Sequence, residues 1–203
     1  MGGIYKEHMS RKARFERKTS ETDISIELDL DGKGIYAIST GIPFFDHMLN
    51  LFTAHGLFDL AINALGDTDV DFHHTVEDVG ICLGEAVKKA LSDKKGIMRY
   101  GHAVTPMDES LARVAIDLSN RPYLIYQVPE KVYARGNFDL YTAKEFLRAF
   151  SNTVGMNLHI EVPYGENEHH IIEAIFKSLG RSLSQAVAMN ARTRSVPSTK
   201  GVL

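Results

Sequence analysis

Two stretches decide how this chain is read: "DFHHTVEDVGICLG" (Asp71 to Gly84) and "NEHHIIEAIFKSLG" (Asn167 to Gly180). Each carries His-His-x-x-Glu at the head of an apolar helical pattern, and at a shift of 96 residues Leu83-Gly84 falls on Leu179-Gly180 and Val87 on Leu183. The likeness extends outward from these segments. "ETDISIELDLDGK" (Glu21 to Lys33) lies on "ESLARVAIDLSNR" (Glu109 to Arg121) at a shift of 88, and "HMLNLF" (His47 to Phe52) on "EFLRAF" (Glu145 to Phe150) at 98. Self-similarity whose shift drifts by a few residues is what a tandem duplication with short loop insertions leaves behind. The repeats run over about residues 10–96 and 97–190, within a single domain of 203 residues that ends in a tail of about 191–203.

Each half follows the same order of elements. The alternation in "DISIELDL" and "ARVAIDL" marks strands. A first helix follows, from Pro43 to about Ala54 or from Thr142 to about Val154, then a further strand in "LFDLAINAL" or "MNLHIEV". A longer helix closes the half, from about His73 to Leu91 or from about Glu168 to Met189. The expected class is α+β, with helices packed on antiparallel-rich sheets.

Composition narrows the function classes. With 44% hydrophobic and 24% charged residues the chain can bury a core, and a formal charge of −3 gives no reason to expect nucleic acid or an anionic membrane as partner. Apolar runs are too short to span a bilayer, and the basic start "MGGIYKEHMSRKARFERK" lacks the apolar core of a secretory signal. The lone Cys82 sits among apolar residues and reads as a core residue in a reducing compartment, so a cytoplasmic location is expected.

On a helix, residues four apart share a face, whereas neighbours diverge by about 100°. His73 and Glu77 can therefore bind one ion while His74 points elsewhere, and His169, Glu173 and His170 repeat the arrangement. If the two long helices lie side by side, each odd histidine completes the other's site: His73, Glu77 and His170 in one, His169, Glu173 and His74 in the other. Equivalent helices from different subunits satisfy the same geometry. His47 on the short helix is a further ligand candidate, and its repeat partner is Glu145. Imidazole and carboxylate without thiolate suit Mn, Fe, Zn or Co. Lys177 continues the series from His169 and Glu173, placing a cation beside the metal. Asp67, Asp69 and Asp71 read as strand-end and helix-start carboxylates, or as further ligands. His102 and His159 read as ordinary surface or satisfied core histidines.

With these residues assembled, the chain resembles the imidazoleglycerol-phosphate dehydratase family of histidine biosynthesis. The stretches that carry the resemblance are "RKTSETDI", "TGIPFFDHMLNLFTAHGLFDL", "GDTDVDFHHTVEDVGICLGEA", "MDESLARVAIDLSNRPY", "HHIIEAIFKSLGRSLSQA" and "PSTKGVL", in the family's order over nearly the whole chain. The resemblance implies two four-stranded sheets with the four helices between them. It implies a hydro-lyase that removes water from imidazoleglycerol phosphate to give imidazoleacetol phosphate, through a metal-bound imidazolate. Two Mn(II) ions per active site are implied, one on His47, His74, His169 and Glu173, the other on His73, Glu77, His170 and position 145. That last position is often histidine in the family and is Glu145 here. Glu21 is the implied proton-transfer group, with Lys177 assisting hydroxyl departure or binding. His55 matches a substrate-contact region, and Arg99, Arg121, Ser198, Thr199 and Lys200 match positions that hold the phosphate. The resemblance also implies a homo-oligomer of 24 subunits with active sites between them. Two rivals stand beside this reading: a dinuclear metallohydrolase, and a non-catalytic protein whose metals only join subunits. Glu21, Arg99, Arg121 and the "PSTKG" tail argue against the latter, since metal glue needs no phosphate clamp.

Overall fold

The computed structural model describes residues 11–130, 132–133, 136–193 and 195–201. The absence of a secretory leader, expected from the first residues, therefore falls outside the described part, as do Arg194, Val202 and Leu203 of the tail. Among these residues, eight strands and four helices follow one another in two matching sets. The first is β1 (Lys12–Lys18), β2 (Thr22–Asp29), β3 (Tyr36–Ser39), α1 (Pro43–Gly56), β4 (Asp59–Gly66) and α2 (His73–Leu91). The second is β5 (Tyr100–Met107), β6 (Ser110–Asp117), β7 (Tyr123–Gln127), α3 (Leu140–Val154), β8 (Asn157–Tyr164) and α4 (Glu168–Val187). The sheets have the orders β1-β2-β4-β3 and β5-β6-β8-β7. In each, the third strand runs parallel to the fourth and all other pairs are antiparallel.

The registers repeat with the fold. Ile26 faces Ile62 across β2 and β4, and Val114 faces Ile160 across β6 and β8. Alternation supplies each sheet with one apolar face: Ile24, Ile26 and Leu28 are buried on β2, and Ala112, Val114 and Ile116 on β6. Helices cover those faces, with α2 on β1 and β2 and α4 on β5 and β6. The helices of the two halves meet between the sheets, as the resemblance implied. Phe45, Phe52, Phe146, Phe150 and Phe176 fill that layer. Phe146 stacks on Phe150 and Phe176 with ring centroids 5.7 and 5.4 Å apart. Each such buried phenylalanine contributes about 1.5–3 kcal/mol of transfer free energy.

The pairing of the helices decides between the two arrangements the sequence left open. Within one chain the long helices do not lie side by side: α2 packs against α3 and α4 against α1, so each long helix takes the short helix of the other half. Glycine makes the crossings close. A Cβ on Gly180 would stand 2.3 Å from the Phe52 carbonyl oxygen, and one on Gly84 would stand 2.6 Å from Thr153 Cβ. The duplicated Leu-Gly pair is thus the contact that lets helices of the two halves approach. No helix among the described residues is long and apolar enough to cross a membrane.

Candidate active site

The long helices begin where the histidines begin. At α4, the Asn167 side chain accepts the His169 backbone N–H at 3.0 Å. At α2, Asp71 accepts the His73 N–H at 2.7 Å, so Asp71 has a helix-start role. The crossings then bring a short-helix residue to each long-helix pair. His47, His169 and Glu173 form one group, and His73, Glu77 and Glu145 the other, with one ligand atom of each residue within 4.8 Å of the rest. Glu173 Oε2 lies 3.1 Å from His169 Nε2 and 3.6 Å from His47 Nε2. Glu77 Oε2 lies 3.6 Å from His73 Nε2.

Both groups suit a divalent cation. Their donors are imidazole and carboxylate, and three protein ligands leave coordination positions open. Glu145 adds a sharper sign: it is only 1% exposed, one carboxylate oxygen pairs with Arg148, and Oε1 is buried with no hydrogen-bond partner. A buried, unpartnered carboxylate oxygen beside His73 and Glu77 is costly unless a cation answers it.

His74 and His170 do not join either group within the chain. His74 Nδ1 lies 2.9 Å from Asp67 Oδ2, and that bond raises its pKa. His170 Nδ1 lies 2.7 Å from Glu109 Oε2, with Asp108 Oδ2 3.7 Å from the other ring nitrogen. The same bond holds the Glu109 carboxyl well below the usual range.

The remaining predicted residues fall in separate places. In the middle of α4, Lys177 Nζ contacts Glu173 Oε1 at 2.6 Å. Burial works against the Glu173 charge, yet the Lys177 contact and His169 outweigh it and hold the Glu173 pKa low. His55, in the last turn of α1, has its pKa lowered by burial and by Lys177 and Arg181, which favours the neutral ring. Glu21 is exposed next to β2, and its charge is among those that raise the His74 pKa. Its carboxylate takes no side-chain hydrogen bond or ion pair among the described residues.

At the far end of α4, the Arg99 backbone N–H donates to the Ala186 carbonyl. Its guanidinium holds Asp117 at 2.6 and 3.1 Å and donates to the Pro197 carbonyl at 2.8 Å. Arg121 stands 3.8 Å from the same Asp117. Ser198, Thr199 and Lys200 follow directly on the tethered Pro197, so Arg99 fixes where the tail begins. The thirteen residues from Glu173 to Ala186 span about 20 Å of helix axis. The His47–His169–Glu173 group and the cationic end of the same chain are therefore far apart.

Sequence reasoning did not single out Glu109, Arg148 or Asp117 as site residues. A signal existed for Glu109, because it is the repeat partner of Glu21. Asp117 is the partner of Asp29, and only its tertiary contact with Arg99 gives it a role.

The comparisons with known proteins agree with one another. The imidazoleglycerol-phosphate dehydratase family model matches residues 40–183. The imidazoleglycerol-phosphate dehydratase of Desulfosudis oleivorans is 58% identical over 195 residues, 96% of this chain and 100% of that protein. That of Geobacter sulfurreducens is 54% identical over the same shares. The crystal structure of the Staphylococcus aureus enzyme is 39% identical, with a TM-score of 0.76 over 88% of this chain and 100% of that one. The Pyrococcus furiosus enzyme, crystallised in complex with (S)-C348, is 38% identical, with a TM-score of 0.82 over 93% and 99%. On fold, helix-borne histidine and carboxylate groups, and these matches together, the chain belongs to the imidazoleglycerol-phosphate dehydratase family and is a hydro-lyase.

Proposed function

We propose that this chain converts imidazoleglycerol phosphate to imidazoleacetol phosphate in histidine biosynthesis, with two Mn(II) ions in each site and sites built between copies of a homo-oligomer, 24 in the family's pattern. The observation that carries this reading is the arrangement of two matched three-residue groups. Each lacks the adjacent histidine of its own motif, and the His47–His169–Glu173 group lies far from the cationic end of the same chain. His47, His169 and Glu173 with His74 of another copy would hold one ion. His73, Glu77 and Glu145 with another copy's His170 would hold the second. The substrate's three-carbon chain is much shorter than the distance along α4, so ring and phosphate are bound by different copies.

When bound, the Mn(II) ions supply Lewis acidity at the imidazole nitrogens, which the substrate needs because no carbonyl acidifies its C–H. The chain's own residues do the rest. Arg99, Arg121, Ser198, Thr199 and Lys200 hold the phosphate through charge-assisted hydrogen bonds and so fix the carbon chain in place. Glu21, with no side-chain partner among the described residues, takes the proton from the carbon next to the one that loses its hydroxyl. Lys177, oriented by Glu173, gives a proton to the departing hydroxyl, and the enol that remains tautomerises to the ketone. Neutral His55 lies near Lys177 without adding a competing charge.

The test is direct assay of imidazoleacetol phosphate after chelation and after return of Mn(II). Product in the presence of metal, and loss of product in His74→Ala, supports the reading. Metal binding with no product, whatever the metal supplied, refutes it in favour of a hydrolase or an assembly role.

A further inference from the structure

The two histidines left outside the three-residue groups share one feature. His74 Nδ1 meets Asp67 at 2.9 Å and His170 Nδ1 meets Glu109 at 2.7 Å. A carboxylate accepts but does not donate, so each contact places the ring proton on Nδ1 and leaves Nε2 as the ligating nitrogen. On His170 that nitrogen has only long contacts, with Asn167 Nδ2 at 3.5 Å and Asp108 Oδ2 at 3.7 Å, which a metal ion would displace. A carboxylate on the second ring nitrogen is the usual support of a metal-ligating imidazole, fixing its tautomer and orientation.

The two halves reach this state with carboxylates from different places. In the first half the carboxylate comes from the end of β4, where Asp67 precedes His74 by seven residues. The corresponding acid after β8 is Glu166, in a matching Gly-acid pair (Gly66-Asp67, Gly165-Glu166) displaced by the register shift between β6 and β8. The second-half loop is three residues shorter, and Glu166 precedes His170 by only four. Glu166 is exposed, and it is Glu109 that reaches His170 from the turn before β6. Its other oxygen accepts the backbone N–H groups of Glu166 and Asn167 at 3.2 and 2.9 Å, which clamps the start of α4 as well. Glu109 is the repeat partner of Glu21. In the first half Asp67 already holds the histidine, and Glu21 is left with no side-chain partner among the described residues.

We propose that Asp67 and Glu109 are positioning residues that hold His74 and His170 with Nε2 presented to a metal ion shared with another copy, and that this division of labour releases Glu21, the counterpart of Glu109, for proton transfer. The inference rests on the metal-centre reading above. It gives the duplicated glutamate two fates: a positioning role in the second half and a reacting role in the first.

The experiment is Mn(II) titration of the assembled protein, followed by the electron paramagnetic resonance signal of free Mn(II), for the unmutated chain, Asp67→Asn and Glu109→Gln. Both substitutions keep shape and remove the charge. Removing such a support typically weakens metal binding by about 10–100-fold. Each variant is expected to weaken one class of site by that factor and leave the other class unchanged, a split that general loosening of the fold does not produce. Thermal melting checks folding, and because Glu109 also clamps the start of α4, Asp67→Asn carries the test if Glu109→Gln does not fold. Unchanged affinity in Asp67→Asn, or equal loss at both classes, overturns the inference while leaving the metal centre intact. An unmutated protein that binds no Mn(II) overturns both.

Discussion

Replacing Glu145 with leucine separates what this residue costs from what it is for. In the metal-free chain Glu145 is a carboxylate inside the α2–α3 contact, with one oxygen unpartnered and the other on Arg148, which is about half-exposed. A buried unsatisfied polar atom costs about 1–3 kcal/mol. The half-exposed ion pair returns less than about 1 kcal/mol, and water can replace it around Arg148. Glu145→Leu, apolar and not much larger, should stabilise the metal-free protein by up to about 3 kcal/mol, raising its midpoint by up to about 12 °C for a chain of this size. Mn(II) offsets that gain. At a metal concentration 100 times the dissociation constant, binding stabilises by about 2.7 kcal/mol, and a 100-fold loss of affinity reduces that to about 0.4 kcal/mol. Thermal scans with chelator and with Mn(II), at one protein concentration, read both effects. A leucine variant that is less stable without metal, or that gains as much from Mn(II) as the unmutated protein, would refute the assignment of Glu145 as a ligand.

Gly180→Ala places a methyl group against the Phe52 carbonyl, where only 2.3 Å is open, so it should cost about 1–3 kcal/mol and move His47 away from His169 and Glu173. Metal titration should show weakening at that group alone. Arg99→Lys retains the charge but not the fork that joins Asp117 to the Pro197 carbonyl; KM should rise about tenfold with a smaller change in kcat, and limited proteolysis should cut the tail sooner. Lys94 is 4% exposed, and burial pushes its pKa down from 10.5 to about 8. The folded chain then binds fewer protons than the unfolded one between those values, so the destabilisation is complete below pH 8 and fades as pH approaches 10.5. The stability difference between Lys94→Met and the unmutated chain should accordingly narrow across that window, by at most about 1.4 kcal/mol per pH unit in denaturant titrations. A constant difference would show that Lys94 is not buried as a charge.

The duplicated motif made the architecture readable before any coordinates, because one local pattern fixed both the helix face and the order of elements. The long helix from His73 to Leu91 needed no correction, and α4 ends at Val187, two residues before the expected Met189. Four of the eight strands among the described residues were read from the sequence, β2 and β6 by alternation and β4 and β8 as the further strand of each half. These are the central strands, whose buried faces are strongly apolar. The outer strands were harder to see. On β1 the outward positions Lys12, Arg14, Glu16 and Lys18 dominate the composition, while β3 has only four residues. The site divided in a similar way. Helical spacing alone selected His73 with Glu77 and His169 with Glu173, and set His74 and His170 apart. The partners of the set-apart histidines depend on tertiary contacts, so Glu109 was visible only as a repeat position. Helix pairing was not legible either, because both long helices carry an apolar stripe that fits a long or a short neighbour equally well. What settles it is the close approach at Gly84 and Gly180, a three-dimensional fact.

The central claim is that one active site takes its metal ligands and its phosphate clamp from different copies of the chain. Complementation tests it most directly. Glu173→Gln removes a metal ligand, and Arg99→Ala combined with Lys200→Ala removes the clamp, so each protein alone should form little imidazoleacetol phosphate with Mn(II) present. Dissociated, mixed and reassembled, the two should recover a substantial fraction of activity, because some sites then pair an intact metal group from one parent with an intact clamp from the other. Mixed oligomers that form yet stay as inactive as their parents would place both halves of the site on a single chain and contradict the account.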